Sequence, residues 1–201
     1  MAGESLARKY LFDADIREAN LEGARLDGAM LEGARFDGAN LARASMRNTH
    51  AAHAKFREAD LTGADLSYER DVDTAAKTCH YADFSRATLD GANLSRTPLT
   101  YARLDDASLV DVDLSRATLI AASMVASKLN GANLKFANLS RARLEYADLR
   151  GADLSFTNLS GANLENALYD ETTIWRGTRY NQRTRWNDGK RERAPLGPRL
   201  S

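Results

Sequence analysis

The side chains able to do covalent or metal chemistry are few: three His and one Cys in 201 residues. His50 and His53 share the stretch THAAH, and His80 adjoins Cys79. A zinc site needs Cys and His in closely spaced pairs, and a nucleophilic thiol needs an oriented base; neither pattern is present. Asp105 and Asp106 are adjacent carboxylates, but neighbours in a turn are solvated separately and do not make an acid/base pair. No P-loop, GxGxxG, GxSxG or HExxH motif occurs. The expectation is therefore no catalytic, cofactor or metal site and no enzymatic activity. A single Cys makes no internal disulfide, so nothing calls for an oxidising compartment. The first twelve residues lack the apolar run of a signal peptide, and the most apolar stretch, residues 119–126, is too short to span a bilayer. A cytoplasmic protein without a membrane segment is expected.

Whatever this chain does, it does through the surface its backbone presents, and the backbone is set by a period of five. From Ala14 the sequence reads ADIRE, ANLEG, ARLDG, AMLEG, ARFDG and onward to ADLSY, with central residues from Ile16 to Leu66. From Ala82 it resumes as ADFSR, ATLDG, ANLSR, with centres every fifth residue from Phe84 to Leu164 and weaker units centred on Tyr169 and Ile174. An α-helix cannot use this spacing, because a step of five rotates each Leu about 140° from the last. A flat strand cannot either, since an odd step alternates faces. A chain that turns one corner per five residues can point every central Leu or Phe inward, with the small Ala two before it at the crowded corner. Asn or Asp just before the centre, as in Asn20, Asn40 and Asp60, hydrogen-bonds nearby backbone in a turn, and Gly at the fifth position tolerates positive φ. Stacked square coils then pair their backbones as parallel ladders.

These units resemble the pentapeptide-repeat family, whose pattern is A(D/N)LXX. The resemblance implies an all-β fold, a single right-handed quadrilateral parallel β-helix with four pentapeptides per coil. The clear units amount to about seven coils and a rod of roughly 34 Å. The expected organisation is an N-terminal cap over residues 1–13 and repeats over 14–174, interrupted by a loop at about 68–81. An aromatic cap built on Tyr169, Trp175, Tyr180 and Trp186, with a basic tail, is expected over 175–201. Leu66 and Phe84 lie eighteen residues apart, so the loop adds about eight residues and hides the relative phase of the two blocks.

Formal neutrality conceals a split. Residues 1–174 carry 20 basic and 26 acidic groups, and residues 175–201 carry 8 and 2. Counting every fourth repeat collects Asp90, Asp105, Asp106, Asp111, Glu145, Asp148 and Glu165 on two adjacent faces, the candidate partner-binding surface. Arg70, Asp71 and Asp73 in the loop are candidate contacts beside it. Arg96, Arg116, Phe136 and Phe156 stack at one coil position on another side. Some members of the family are acidic dimers that occupy the DNA-binding saddle of gyrase. The resemblance thus implies a DNA mimic whose partner is DNA gyrase or topoisomerase IV and which protects it from inhibitors, an antibiotic-resistance role. The alternative is a scaffold or regulatory module with another protein partner. A third reading has the basic tail grip nucleic acid. The family's dimers close through an apolar C-terminal helix, whereas this C-terminus is basic and polar, which stands against a homodimer.

Overall fold

The computed structural model describes residues 5–69 and 78–187. Single parallel bridges join each residue before a centre to its counterpart one coil on: Ser5 to Arg25, Tyr10 to Met30, Asp15 to Arg35, Asn20 to Asn40. Four five-residue sides therefore make one coil. Each corner is a turn in which the central carbonyl accepts the N–H three residues on, as Leu21 O does from Ala24 N at 2.9 Å. The third turn residue takes positive φ, 64° at Gly23 and 57° at Arg43, the requirement of a type II turn. Between coils, Leu21 N donates to Asn40 O at 2.7 Å and Asn40 N returns to Ala19 O at 3.0 Å, a two-bond rung repeated along the rod. Asn40 Oδ1 accepts from Ala42 N at 3.0 Å and Asp60 Oδ1 from Thr62 N at 2.9 Å. That bond occupies an amide the rungs leave unpaired, which is why Asn or Asp so often precedes the centre.

The inward residues form four columns, one per face. Face A runs Leu6, Leu26, Met46, Leu66, Leu94, Leu114, Leu134, Leu154, Trp175, and face B runs Leu11, Leu31, Ala51, Cys79, Leu99, Leu119, Leu139, Leu159, Tyr180. Face C carries Ile16, Phe36, Phe56, Phe84, Leu104, Met124, Leu144, Leu164 and Trp186, and face D runs from Leu21 to Tyr169. From Leu21 to Ala167 these centres and the preceding small residues are buried. Phe36, Phe56 and Phe84 stack flat at 5.0 and 4.8 Å, so ring-to-ring contact follows the coil spacing itself. Each buried Leu contributes about 1.5–3 kcal/mol.

The structure departs from the sequence reading at both ends and in the loop. The segment read as an N-terminal cap is the first coil: Leu6 N donates to Arg25 O and Leu11 N to Met30 O. At the other end coils continue past residue 174, because the bridges lengthen from Asp148–Leu168 to Asp153–Ile174 and Asn163–Arg185, absorbing one extra residue and then another. That slip overturns Ile174 as a centre. Ile174 is 46% exposed, and Trp175, 3% exposed, fills the column. Tyr169, Trp175, Tyr180 and Trp186 meet edge-on at 5.3–6.4 Å across the last coil. The rod thus holds nearly nine coils and is about 40 Å long.

Cys79, placed in the loop by the sequence, is instead a centre. Its N–H donates to Pro98 O, and Ala51 N in the coil before reaches Thr78 O. Burial pushes its thiol up to about 12, so it is no nucleophile at neutral pH. The bridge from Lys55 to Asp83 closes the insertion and fixes the phase of the two blocks.

Candidate protein-binding faces

The phase settles which acids share a side. From residue 83 to 171, faces C and D collect Asp83, Asp90, Asp105, Asp106, Asp111, Glu145, Asp148, Glu165, Asp170 and Glu171 against Arg86, Arg103, Lys128, Arg143 and Arg150. All seven candidate residues read from the sequence lie there. Glu145, Glu165, Asp105 and Asp106 belong to face C, and Asp90, Asp111 and Asp148 to face D. The loop candidates Arg70, Asp71 and Asp73, and the basic tail from residue 188, lie outside the described residues.

The seven are not equally available. Asp90 Oδ1 accepts from Val110 N at 3.0 Å, and Asp105 Oδ1 from Val125 N at 3.1 Å. Both acids stand in for a missing turn residue in the next coil, where Ser108 and Ser123 replace the usual Asn or Asp. Asp27 does the same for Arg47 N above Ser45. Asp148 takes three bonds from Arg150, including Nη2 at 2.6 Å. Glu145 accepts from Asn163 Nδ2 at 2.9 Å and lies 3.5 Å from Arg143 Nε. Asp106, Asp111 and Glu165 are exposed and make no ion pair among the described residues. Asp106 and Asp111 sit in one coil at the left-handed corner position, with φ of 59° and 55°, and the Asp111 carboxylate rests against Gly131 of the next coil, where a Cβ would clash with it. Toward the N-terminus the acidity of face C is cancelled. Arg57 bridges Asp37 at 3.3 Å and Asp83 at 3.7 Å, and Arg103 bridges Asp83 and Asp105.

The opposite side has the opposite character. From residue 78 to 183 face B carries no acid. At its edge with face A, Arg116 lies over Phe136 at 5.3 Å, Phe136 stacks on Phe156 at 5.0 Å, and Arg176 caps Phe156 at 5.9 Å. Phe136 and Phe156 are 52% and 45% exposed. The last ring rests on Gly177, where a Cβ would come within 2.7 Å of it. Along the edge with face C, His53, Tyr81 and Tyr101 stack at 5.1 and 5.0 Å. His50 and His80 lie on the same face, and no group of His, Cys, Asp or Glu among the described residues is arranged to hold a metal ion.

The family model for pentapeptide repeats matches in eight copies, over residues 10–48, 31–67, 79–116, 99–135 and 137–168. The chain belongs to the pentapeptide-repeat family. Its coil is the right-handed quadrilateral β-helix of that family. Among solved structures, the pentapeptide repeat protein Rfr23 from the cyanobacterium Cyanothece 51142 is 34% identical, with a TM-score of 0.52, over 58% of this chain and 87% of its own. HetL, involved in heterocyst differentiation regulation in Nostoc sp. strain PCC 7120, is 26% identical with a TM-score of 0.42 over 89% and 90%. The plasmid-mediated fluoroquinolone resistance protein QnrB1 is 17% identical with a TM-score of 0.45, over 100% of this chain and 90% of its own. No curated protein matches significantly.

In this pentapeptide rod the Asp148–Arg150 pair also sets part of the acid limit of stability. The Arg150 hydrogen bonds, outweighing partial burial, hold the Asp148 carboxyl at about 2 against its ordinary 3.8. A carboxyl lowered in the fold stabilises above its unfolded value and loses that contribution as pH falls through the folded value. The effect therefore disappears between pH 4 and 2. Asp148→Asn is expected to lose stability less steeply than wild type across that window in acid titrations followed by circular dichroism. Superimposable curves would contradict the assignment.

Proposed function

We propose that this chain is a non-enzymatic, protein-binding β-helix, acting in the cytoplasm, whose acidic side engages a type II topoisomerase in place of duplex DNA and protects it from an inhibitor. The observation that carries the reading is charge segregation on a rigid rod: ten acids and five bases on faces C and D, and no acid on face B from residue 78 to 183. Duplex DNA carries about one charge per 1.7 Å, roughly two to three times the net density of this side, so the mimic works through a few well-placed carboxylates. Asp106 and Asp111 are the foremost, being exposed and without an ion pair among the described residues. Competition tests the reading. Binding of the purified chain to gyrase or topoisomerase IV should weaken in proportion to added linear duplex DNA, because both occupy one site. A ternary complex with undiminished affinity would contradict it. The second reading, a scaffold for another protein, draws on the internal occupation of Asp90, Asp105, Glu145 and Asp148. Under it, reversing the charge of Asp106 and Asp111 leaves partner capture unchanged.

A further inference from the structure

We propose that the hollow around Arg96 and Arg116 binds the phosphodiester backbone of a single-stranded polynucleotide laid along face B. The inference does not depend on the topoisomerase reading, which concerns the opposite side of the rod. The hollow, about 460 Å³, is lined by Tyr68, Arg96, Pro98, Arg116, Thr118 and Phe136, with no carboxylate among them. Two other surface hollows also hold arginines, but carboxylates line them as well, Asp27 and Glu69 in one and Glu18, Asp37 and Glu58 in the other; Arg47 pairs with Asp27 at 3.3 Å and Arg57 with Asp37 at 3.3 Å. Arg96 and Arg116 make no ion pair among the described residues, and they stand one coil apart at the same corner position.

A guanidinium left without a carboxylate, beside a second one and a hydroxyl at Thr118, is a site for an anion with several acceptor oxygens. Beyond Phe136 and Phe156, three coils from Arg116, Arg176 and Arg179 add two more cations, again without an ion pair among the described residues. A row of cations beside an acid-free face suits a charged polymer better than one small anion. The aromatics limit how that polymer is held. Phe136 and Phe156 are stacked 5.0 Å apart and nearly parallel, so their edges face solvent. A base needs about 3.4 Å on each side and cannot enter between them. The contact is therefore with the backbone and is indifferent to sequence. A flexible single strand can follow one straight row of cations, which the curved backbone of a duplex leaves after a few phosphates.

The test is fluorescence anisotropy of a labelled twenty-residue oligothymidine with the full chain, from 50 to 200 mM salt. Binding that weakens steadily with salt is expected. Arg96→Glu with Arg116→Glu should weaken it at least about tenfold and lower the salt slope by about 1.4, two phosphate contacts of a single strand. Residues 188–201 are present in both proteins, so the difference reads the hollow. No binding by wild type, or an unaltered slope in the folded double variant, would overturn the proposal. So would duplex binding as tight as single-strand binding, or displacement by adenosine monophosphate at equal phosphate concentration, which would assign the hollow to a mononucleotide.

Discussion

Leu134→Asp is expected to leave the protein without a cooperative thermal transition. Leu134 is fully buried in the face A column between Leu114 and Leu154. Its N–H is committed to the rung with Asp153 O at 2.8 Å, and its carbonyl to Ala137 N in the corner turn at 3.0 Å and to Thr157 Oγ1 at 2.7 Å. A carboxylate there can be neither solvated nor paired, and keeping it protonated costs free energy as well. Truncation alone, Leu134→Ala, should cost about 2–5 kcal/mol, and the charged variant more. In a solenoid each coil is stabilised mainly by its two neighbours, so the loss at the central coils separates two short stacks that cannot each persist. Circular dichroism on heating reads the outcome. A wild-type transition in Leu134→Asp would mean that the five-residue register is wrong.

The second large effect is on function. Asp106→Lys with Asp111→Lys should reduce topoisomerase binding and protection at least about tenfold while leaving the melting temperature within a few degrees of wild type. Both side chains are exposed and unpaired, so their loss removes no internal bond. Placing cations where a DNA-binding protein expects phosphates creates like-charge contacts across the interface, which cost several kcal/mol. Asp105→Lys is the informative contrast. It removes the acceptor for Val125 N, and an amide left without a partner costs about 1–3 kcal/mol, so its effect is expected in stability. Unchanged protection in the folded Asp106→Lys, Asp111→Lys protein would remove the acidic side from the mechanism.

The coil was legible in the sequence because one inward residue in five is a local rule that every unit obeys independently. Where a unit met the rule with an unusual residue, the pattern concealed it. Cys79 behaves as a small hydrophobe in a column, yet no Ala or Asn introduces it. Trp175 and Trp186 are centres reached through single-residue insertions, so a strict count of five picked Ile174. Leu6 and Leu11 kept the register while Ser5, Lys9 and Tyr10 broke the consensus. The acidic faces were legible as a count of charges but not as available charges. Hydrogen bonds decide that: Asp105 also accepts from Ser123 Oγ, eighteen residues on. An Asp eighteen residues before a Ser at the turn position is the signal by which the sequence marks such internal acids, and it recurs at Asp27 with Ser45. The phase across the loop was beyond the sequence, because it depends on which bridge closes the insertion.

The central claim is that the acidic side occupies the DNA site of a topoisomerase, and gyrase supercoiling with purified protein tests it most directly. The chain should be titrated through micromolar concentrations with and without a gyrase poison. The account predicts inhibition of supercoiling by the chain alone or rescue of supercoiling from the poison, and loss of either effect in Asp106→Lys, Asp111→Lys. No change in either arm up to the highest concentration would contradict it.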